Sequence, residues 1–118
     1  MKSEFVSSFD LSRIHYNFLM RLAFGCIQFR KIKESILIYE SINAIYPGIP
    51  EVVHSLAHAK ILNNQPDLAL INLKTINDKY SNDPLTWLLR SQALSQLGHN
   101  AESAKAMRFF IRFKNSEK

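Results

Sequence analysis

The sequence predicts an all-α chain of three helical hairpins, about six helices, and three observations carry that expectation. Apolar residues recur at three- and four-residue spacing through most segments, the period of a helix with one buried face. Pro50, Pro66 and Pro84 each stand where such a run begins. Proline at the first helical position gives up only an N–H that has no partner there. Laid out in lengths of 34, the distance from Pro50 to Pro84, the chain shows three imperfect copies of one pattern.

The middle copy is the clearest. Its first helix, from Pro50, carries Val53, Leu56, Ala57 and Lys60 on one face; its second, from Pro66 to Ile76, carries Ala69, Leu70, Leu73 and Ile76. Between them lies the polar turn NNQP. Ala57 and Ala69, twelve apart, are small enough to let the two helices approach closely. A hairpin this short cannot bury its apolar face alone, so the flanking sequence is expected to resemble it.

Upstream, Asp10 is expected to cap a helix starting at Leu11. That helix runs through YNFLMRLAFGCIQF with Leu11, Ile14, Phe18, Leu19, Leu22 and Cys26 at helical spacing. Residues 1–9 read as an arm or a short extra helix. The segment RKIKESILIYESINAIY follows, with Ile32, Ile36, Tyr39 and Ile42 on one face, and PGIP ends it. Downstream, Asp83 caps and Pro84 opens a helix that stops near Gly98; Asn100 is expected to cap the last. A single domain thus divides into 1–15, an N-terminal extension or the start of the first helix, and repeats at 16–49, 50–83 and 84–117. In this register Leu19, Val53 and Trp87 correspond, as do Ala23, Ala57 and Ser91. So do Gly25, Ala59 and Ala93, then Ser35, Ala69 and Ser103, then Ile42, Ile76 and Phe110. Small residues recur where helices approach and large ones where they interlock.

Composition narrows the functional classes. Hydrophobic residues are 47% and charged residues 21%, a balance that folds rather than one that stays disordered. A single cysteine, Cys26, cannot form an internal disulfide and suits a reducing compartment. The stretch MKSEFVSSFDLSR is broken by polar residues, unlike a signal peptide, and no run approaches the roughly 18 apolar residues of a membrane span. A cytoplasmic location is therefore expected. The net charge of +5 permits an acidic partner. Its densest cations, Lys105, Arg108, Arg112 and Lys114, read as a solvated helix face suited to the negative end of a helix dipole. Nucleic acid is not an expected partner, since the aromatic and glycine signatures of RNA modules are missing.

No nucleophile–base grouping, phosphate loop or paired-cysteine motif occurs, which argues against an enzyme. Cys26 reads as a buried, inert thiol. Glu51, His54 and His58 share one helix face at i, i+3 and i+7. With no fourth ligand identifiable, they read as polar groups of a binding surface rather than a metal site. Neither a metal nor another cofactor is expected.

The period of 34, with Trp87, Ala93, Leu97–Gly98, Ser103 and Phe110 at or beside its marked positions, resembles the tetratricopeptide repeat. Arg90 and Lys60 depart from it, standing where that family usually has leucine and an aromatic residue. The resemblance implies a right-handed solenoid whose first helices line a concave surface. On that surface it places Met20, Phe24 and Ile27 from the first repeat and His54, His58, Ile61 and Leu62 from the second. The third contributes Leu85, Leu88, Leu89 and Gln92. A concavity this apolar marks a binding site. Met20, Phe24, Ser55, Leu85 and Leu89 stand where a carboxylate clamp for chaperone tails would need lysine, asparagine and arginine. An amphipathic helix is the better fit.

Three degenerate repeats with an apolar N-terminal extension resemble the small cytoplasmic chaperones of type III secretion needle subunits. That resemblance implies two partners: the needle subunit, whose amphipathic helix is held in the groove, and a small helical co-chaperone on the N-terminal repeat. Phe5, Val6, Phe9, Leu11 and Ile14 would supply the co-chaperone surface. A general tetratricopeptide adaptor, or a chaperone for another exported protein, is the alternative.

Overall fold

The structure, a computed structural model, describes residues 2–76 and 82–116. Side chains are described from Arg13 onward within those ranges. Among the described residues there are six helices and no strand: α1 Lys2–Gln28, α2 Ile32–Ile45, α3 Pro50–Leu62, α4 Pro66–Lys74, α5 Pro84–Gln96 and α6 Asn100–Ser116. They pair in order as three hairpins, α1 with α2, α3 with α4 and α5 with α6. The chain forms two compact units, Met1–Pro47 with the first hairpin and Gly48–Lys118 with the other two.

The backbone repeats with the period of 34. Arg30, Asn64 and Gly98, each 34 apart, all adopt left-handed φ values of 63°, 62° and 82°. Each is followed by an N–H that reaches back to a carbonyl five residues earlier: Lys31 to Cys26, Gln65 to Lys60 and His99 to Leu94. This is one type of helix stop used three times. Glycine enters that conformation freely, asparagine tolerates it and arginine bears a steric penalty. Gly98 therefore marks its turn in sequence, while Arg30 does not.

The crossing points repeat as well. Ser35 donates its hydroxyl to the Ala23 carbonyl at 2.8 Å within the first hairpin. Ala57 and Ala69 are fully buried in the second. In the third, Ser91 and Ser103 each donate to the other's carbonyl, at 3.0 and 2.8 Å. Every pair is twelve residues apart, and only small side chains fit where the axes come this close. In the second hairpin Lys60, also buried, donates to Asn72 Oδ1 at 2.7 Å.

Three helix ends and the burial of Cys26 depart from the sequence expectations. Asp10 does not cap a helix: α1 is continuous from Lys2, so residues 1–9 belong to it where described, and the N–H groups at 11–13 already have helical partners upstream. Asn100 is the first residue of α6 rather than its cap, and the His99 carbonyl accepts the Ser103 N–H. α4 ends at Lys74, short of Ile76, where Thr75 turns both its N–H and its hydroxyl onto the Asn72 carbonyl. Cys26 is only half-buried. Asp83 does cap, accepting the Leu85 N–H at 3.0 Å.

Unit by unit, the cores differ. In the first unit α2 buries Ser35, Ile36, Tyr39 and Ile42, and Ala23 of α1 is fully buried. Ile14, Phe18 and Leu22, expected on the packed face, are exposed instead. In the second unit α3 and α4 both pack against α5. Ala57, Ala69, Leu73 and Leu89 form a buried cluster, with Ile61 and Ile76 against it. Trp87 closes the third hairpin, its ring 4.6 Å from that of Phe109.

Candidate functional site

Within the second unit α3 and α5 run side by side, held at both ends by side chains. At one end Gln96 donates to the Ile61 carbonyl and to Asn64 Oδ1, at 3.2 and 3.1 Å. At the other, His54 Nε2 and Thr86 Oγ1 share a 2.7 Å hydrogen bond, and Asp83 Oδ2 lies 3.9 Å from the same nitrogen. Between these ties opens a cavity of about 520 Å³. Pro50, Glu51, His54, Ser55 and His58 line it from α3, and Leu85, Leu88, Leu89 and Gln92 from α5, together with the α5 cap Asp83.

The cavity has an apolar floor and a polar rim. Leu89 is 3% exposed and His54 5%, so both belong to its base. Leu88 is half-buried on the wall, and Glu51, His58, Leu85 and Gln92 are exposed at the mouth. Burial strips water from the His54 ring and lowers its pKa, with the Asp83 carboxylate opposing but not reversing the shift. Partial enclosure lowers the pKa of His58 in the same direction. Both rings are therefore more strongly neutral at pH 7 than free histidine, which suits an apolar ligand.

A second hollow, of about 270 Å³, lies across α5 and shares Asp83, Leu85 and Leu88 with the first. Phe110 and Lys114 of α6 form its far side. Leu85 and Leu88 thus make a ridge with a hollow on each flank. Neither Phe110 nor Lys114 was expected at a binding surface, because both come from a second helix of a hairpin.

The structure brings together six of the anticipated groove residues: His54, His58, Leu85, Leu88, Leu89 and Gln92. Ile61 packs against the core cluster, and Leu62 is exposed outside the cavity lining. Met20 and Ile27 are half-buried and Phe24 exposed in the first unit. Among the described residues no three His, Cys, Asp or Glu side chains converge on a metal position. Thr86, which fixes the His54 ring, gave no sequence signal, since a pairing 32 residues apart has no local spacing.

The first unit carries a separate surface on α1. Ile14 and Phe18 are 62% and 60% exposed; Leu22 continues the line along one side of the helix and Phe29 extends it into the turn beyond. Gly25 lies within this stripe. Leu22, Gly25, Cys26 and Phe29 line a hollow of about 460 Å³, rimmed by Arg21 and Lys31. No acidic residue occurs between Leu11 and Lys33. Of the co-chaperone residues expected from the sequence, the Ile14 side chain is exposed; those of Phe5, Val6, Phe9 and Leu11 lie outside the described residues.

No helix among the described residues is long and apolar enough to cross a membrane. No protein-family model matches the sequence, and no curated protein gives a significant match.

Proposed function

We propose that this protein is a binding protein rather than an enzyme, a chaperone that holds an amphipathic helix of a client in the α3–α5 groove. One observation carries the reading: a cavity with an apolar floor and neutral histidines, continued over the Leu85–Leu88 ridge to Phe110. A helix offering apolar anchors at i, i+3 and i+7 supplies what such a surface lacks.

The specific client we propose is the needle subunit of a type III secretion system, held as a monomer in the cytoplasm before export. The physical logic is that a self-polymerising subunit cannot assemble while its assembly helix is buried elsewhere. A small helical co-chaperone is the second partner, seated on the α1 stripe of Ile14, Phe18, Leu22 and Phe29. Four large exposed side chains along α1 and the turn that follows it are costly to leave in water, which supports a partner at that surface.

The test is co-expression with a needle subunit and a measured Kd. Leu88→Asp and Leu85→Asp are expected to weaken client binding at least tenfold, with helical content unchanged by circular dichroism. Unaltered affinity in both variants rejects the groove. Tight capture of an unrelated exported protein in place of the needle subunit keeps the groove and changes the client.

A further inference from the structure

The basic face of α6 is not used by the proposed client groove. Lys105, Arg108 and Arg112, all exposed, line a hollow of about 210 Å³ together with Phe109, and no carboxylate among the described residues contributes to it. Phe110 and Lys114, which face the Leu85–Leu88 ridge, are not part of it.

Three features set this face apart from an ordinary solvated one. The helix dipole favours cations only in the last turn, yet Lys105 and Arg108 lie in the first and middle parts of a helix that ends at Ser116. Like charges at i, i+3 and i, i+4, as Lys105 with Arg108 and Arg108 with Arg112, destabilise the helix that carries them. The guanidinium of Arg112 is also held in place, 5.8 Å over the Phe109 ring. That ring lies against Trp87 at 4.6 Å, tilted by 30°, and Arg90 covers Trp87 at 4.7 Å. The row Arg90–Trp87–Phe109–Arg112 sets two rings between two cations, so Arg112 enters binding with part of its side-chain freedom already spent.

We propose that the hollow formed by Lys105, Arg108, Phe109 and Arg112 binds an oligophosphate anion. Three convergent cations exceed what one carboxylate neutralises. Guanidinium forks match phosphate oxygens in pairs. The rings are engaged with one another and with arginine, which leaves charge rather than base stacking as the means of recognition. A soluble oligophosphate and the backbone of a single-stranded nucleic acid offer the same chemistry.

Trp87 is the sole tryptophan, and it reports on Phe109 directly. Its fluorescence, with calorimetry alongside, is titrated with sodium tripolyphosphate, an oligothymidylate and polyglutamate. Tripolyphosphate or oligothymidylate is expected to bind at least tenfold tighter than polyglutamate. Arg108→Gln with Arg112→Gln is expected to weaken that binding at least tenfold without loss of helical content. If oligothymidylate binds, log K is expected to fall with log salt at a slope of about −2 for three contacts, less steep by about 0.7 for each cation removed. Tighter binding of tripolyphosphate identifies a soluble anion, and tighter binding of oligothymidylate a nucleic-acid backbone. Equal or tighter binding of polyglutamate overturns the proposal in favour of an acidic protein segment. Absence of binding by calorimetry, or unchanged affinity in the double variant, overturns it outright.

Discussion

α5 and α1 are first helices of their hairpins, 68 residues apart in register, yet their matching faces are covered differently. On α5, Thr86, Leu89 and Ala93 are buried, and α3 and α4 both pack on this helix. The corresponding residues of α1 are Phe18, Arg21 and Gly25; the first two are exposed and Gly25 is only half-buried. The hairpin crossings behind these faces are alike, Ala23 with Ser35 and Ser91 with Ser103. The difference teaches that the hairpin is fixed by its own two helices, whereas the outer face of its first helix depends on what stacks there.

The largest effect that sharpens this contrast comes from Leu89. Leu89→Ala empties part of the buried cluster and is expected to cost about 2–5 kcal/mol. Phe18→Ala removes a larger side chain from the corresponding face of α1 and is expected to change stability by less than about 0.5 kcal/mol. Chemical denaturation of the two variants measures both. Equal losses would erase the distinction between the faces.

The next effect is at the tie between α3 and α5. Thr86→Val leaves His54 Nε2 without its partner and is expected to cost about 1–3 kcal/mol. The same histidine makes stability pH-dependent. The folded-state pKa values of His54 and His58 lie below the ordinary 6.5, so as pH falls the unfolded chain takes up protons first. Their contribution is intact above about pH 6.5 and is lost progressively below it, toward the folded-state values. Thermal unfolding between pH 8 and 5 is expected to show that decline, and His54→Gln to make it shallower. A profile unchanged by His54→Gln removes the histidine from the account.

The smallest effect is at Gly25, and its sign matters more than its size. A methyl group there meets no other atom within 4 Å, and the backbone is not left-handed. Gly25→Ala is therefore expected to raise stability by about 0.5–1 kcal/mol, the helix-propensity gain over glycine. If the α1 stripe seats a partner helix closely, the same substitution weakens that association. Greater stability with unchanged partner affinity would separate Gly25 from the interface.

Much of the local structure was legible because it follows from neighbours in sequence. Pro50, Pro66 and Pro84 start helices where expected, since each blocks a helix upstream and fits one downstream. Asp83 caps because Pro84 guarantees that a new helix begins there. Asp10 and Asn100 carry the same chemistry but misled, since a capping side chain says only that a helix is able to start, and the helical backbone already includes both residues. Leu85, Leu88 and Leu89 were identified as groove residues from repeat position, yet Leu89 is also core, a distinction that periodicity does not make. The Phe110–Lys114 hollow has no signature in sequence, because it forms only where a second helix packs beside the Leu85–Leu88 ridge.

By itself, the sequence determined the hairpins: their number, their register of 34 and the small residues at each crossing. All of these rest on spacings within a few turns of chain. Only the tertiary structure decided which faces are covered. It turned His54 inward to meet Thr86, put Leu89 under the groove and left Phe18 and Phe29 in the open. The physical reason is that helical periodicity marks which side of a helix is apolar, while burial requires a second surface, and that surface lies far away in sequence.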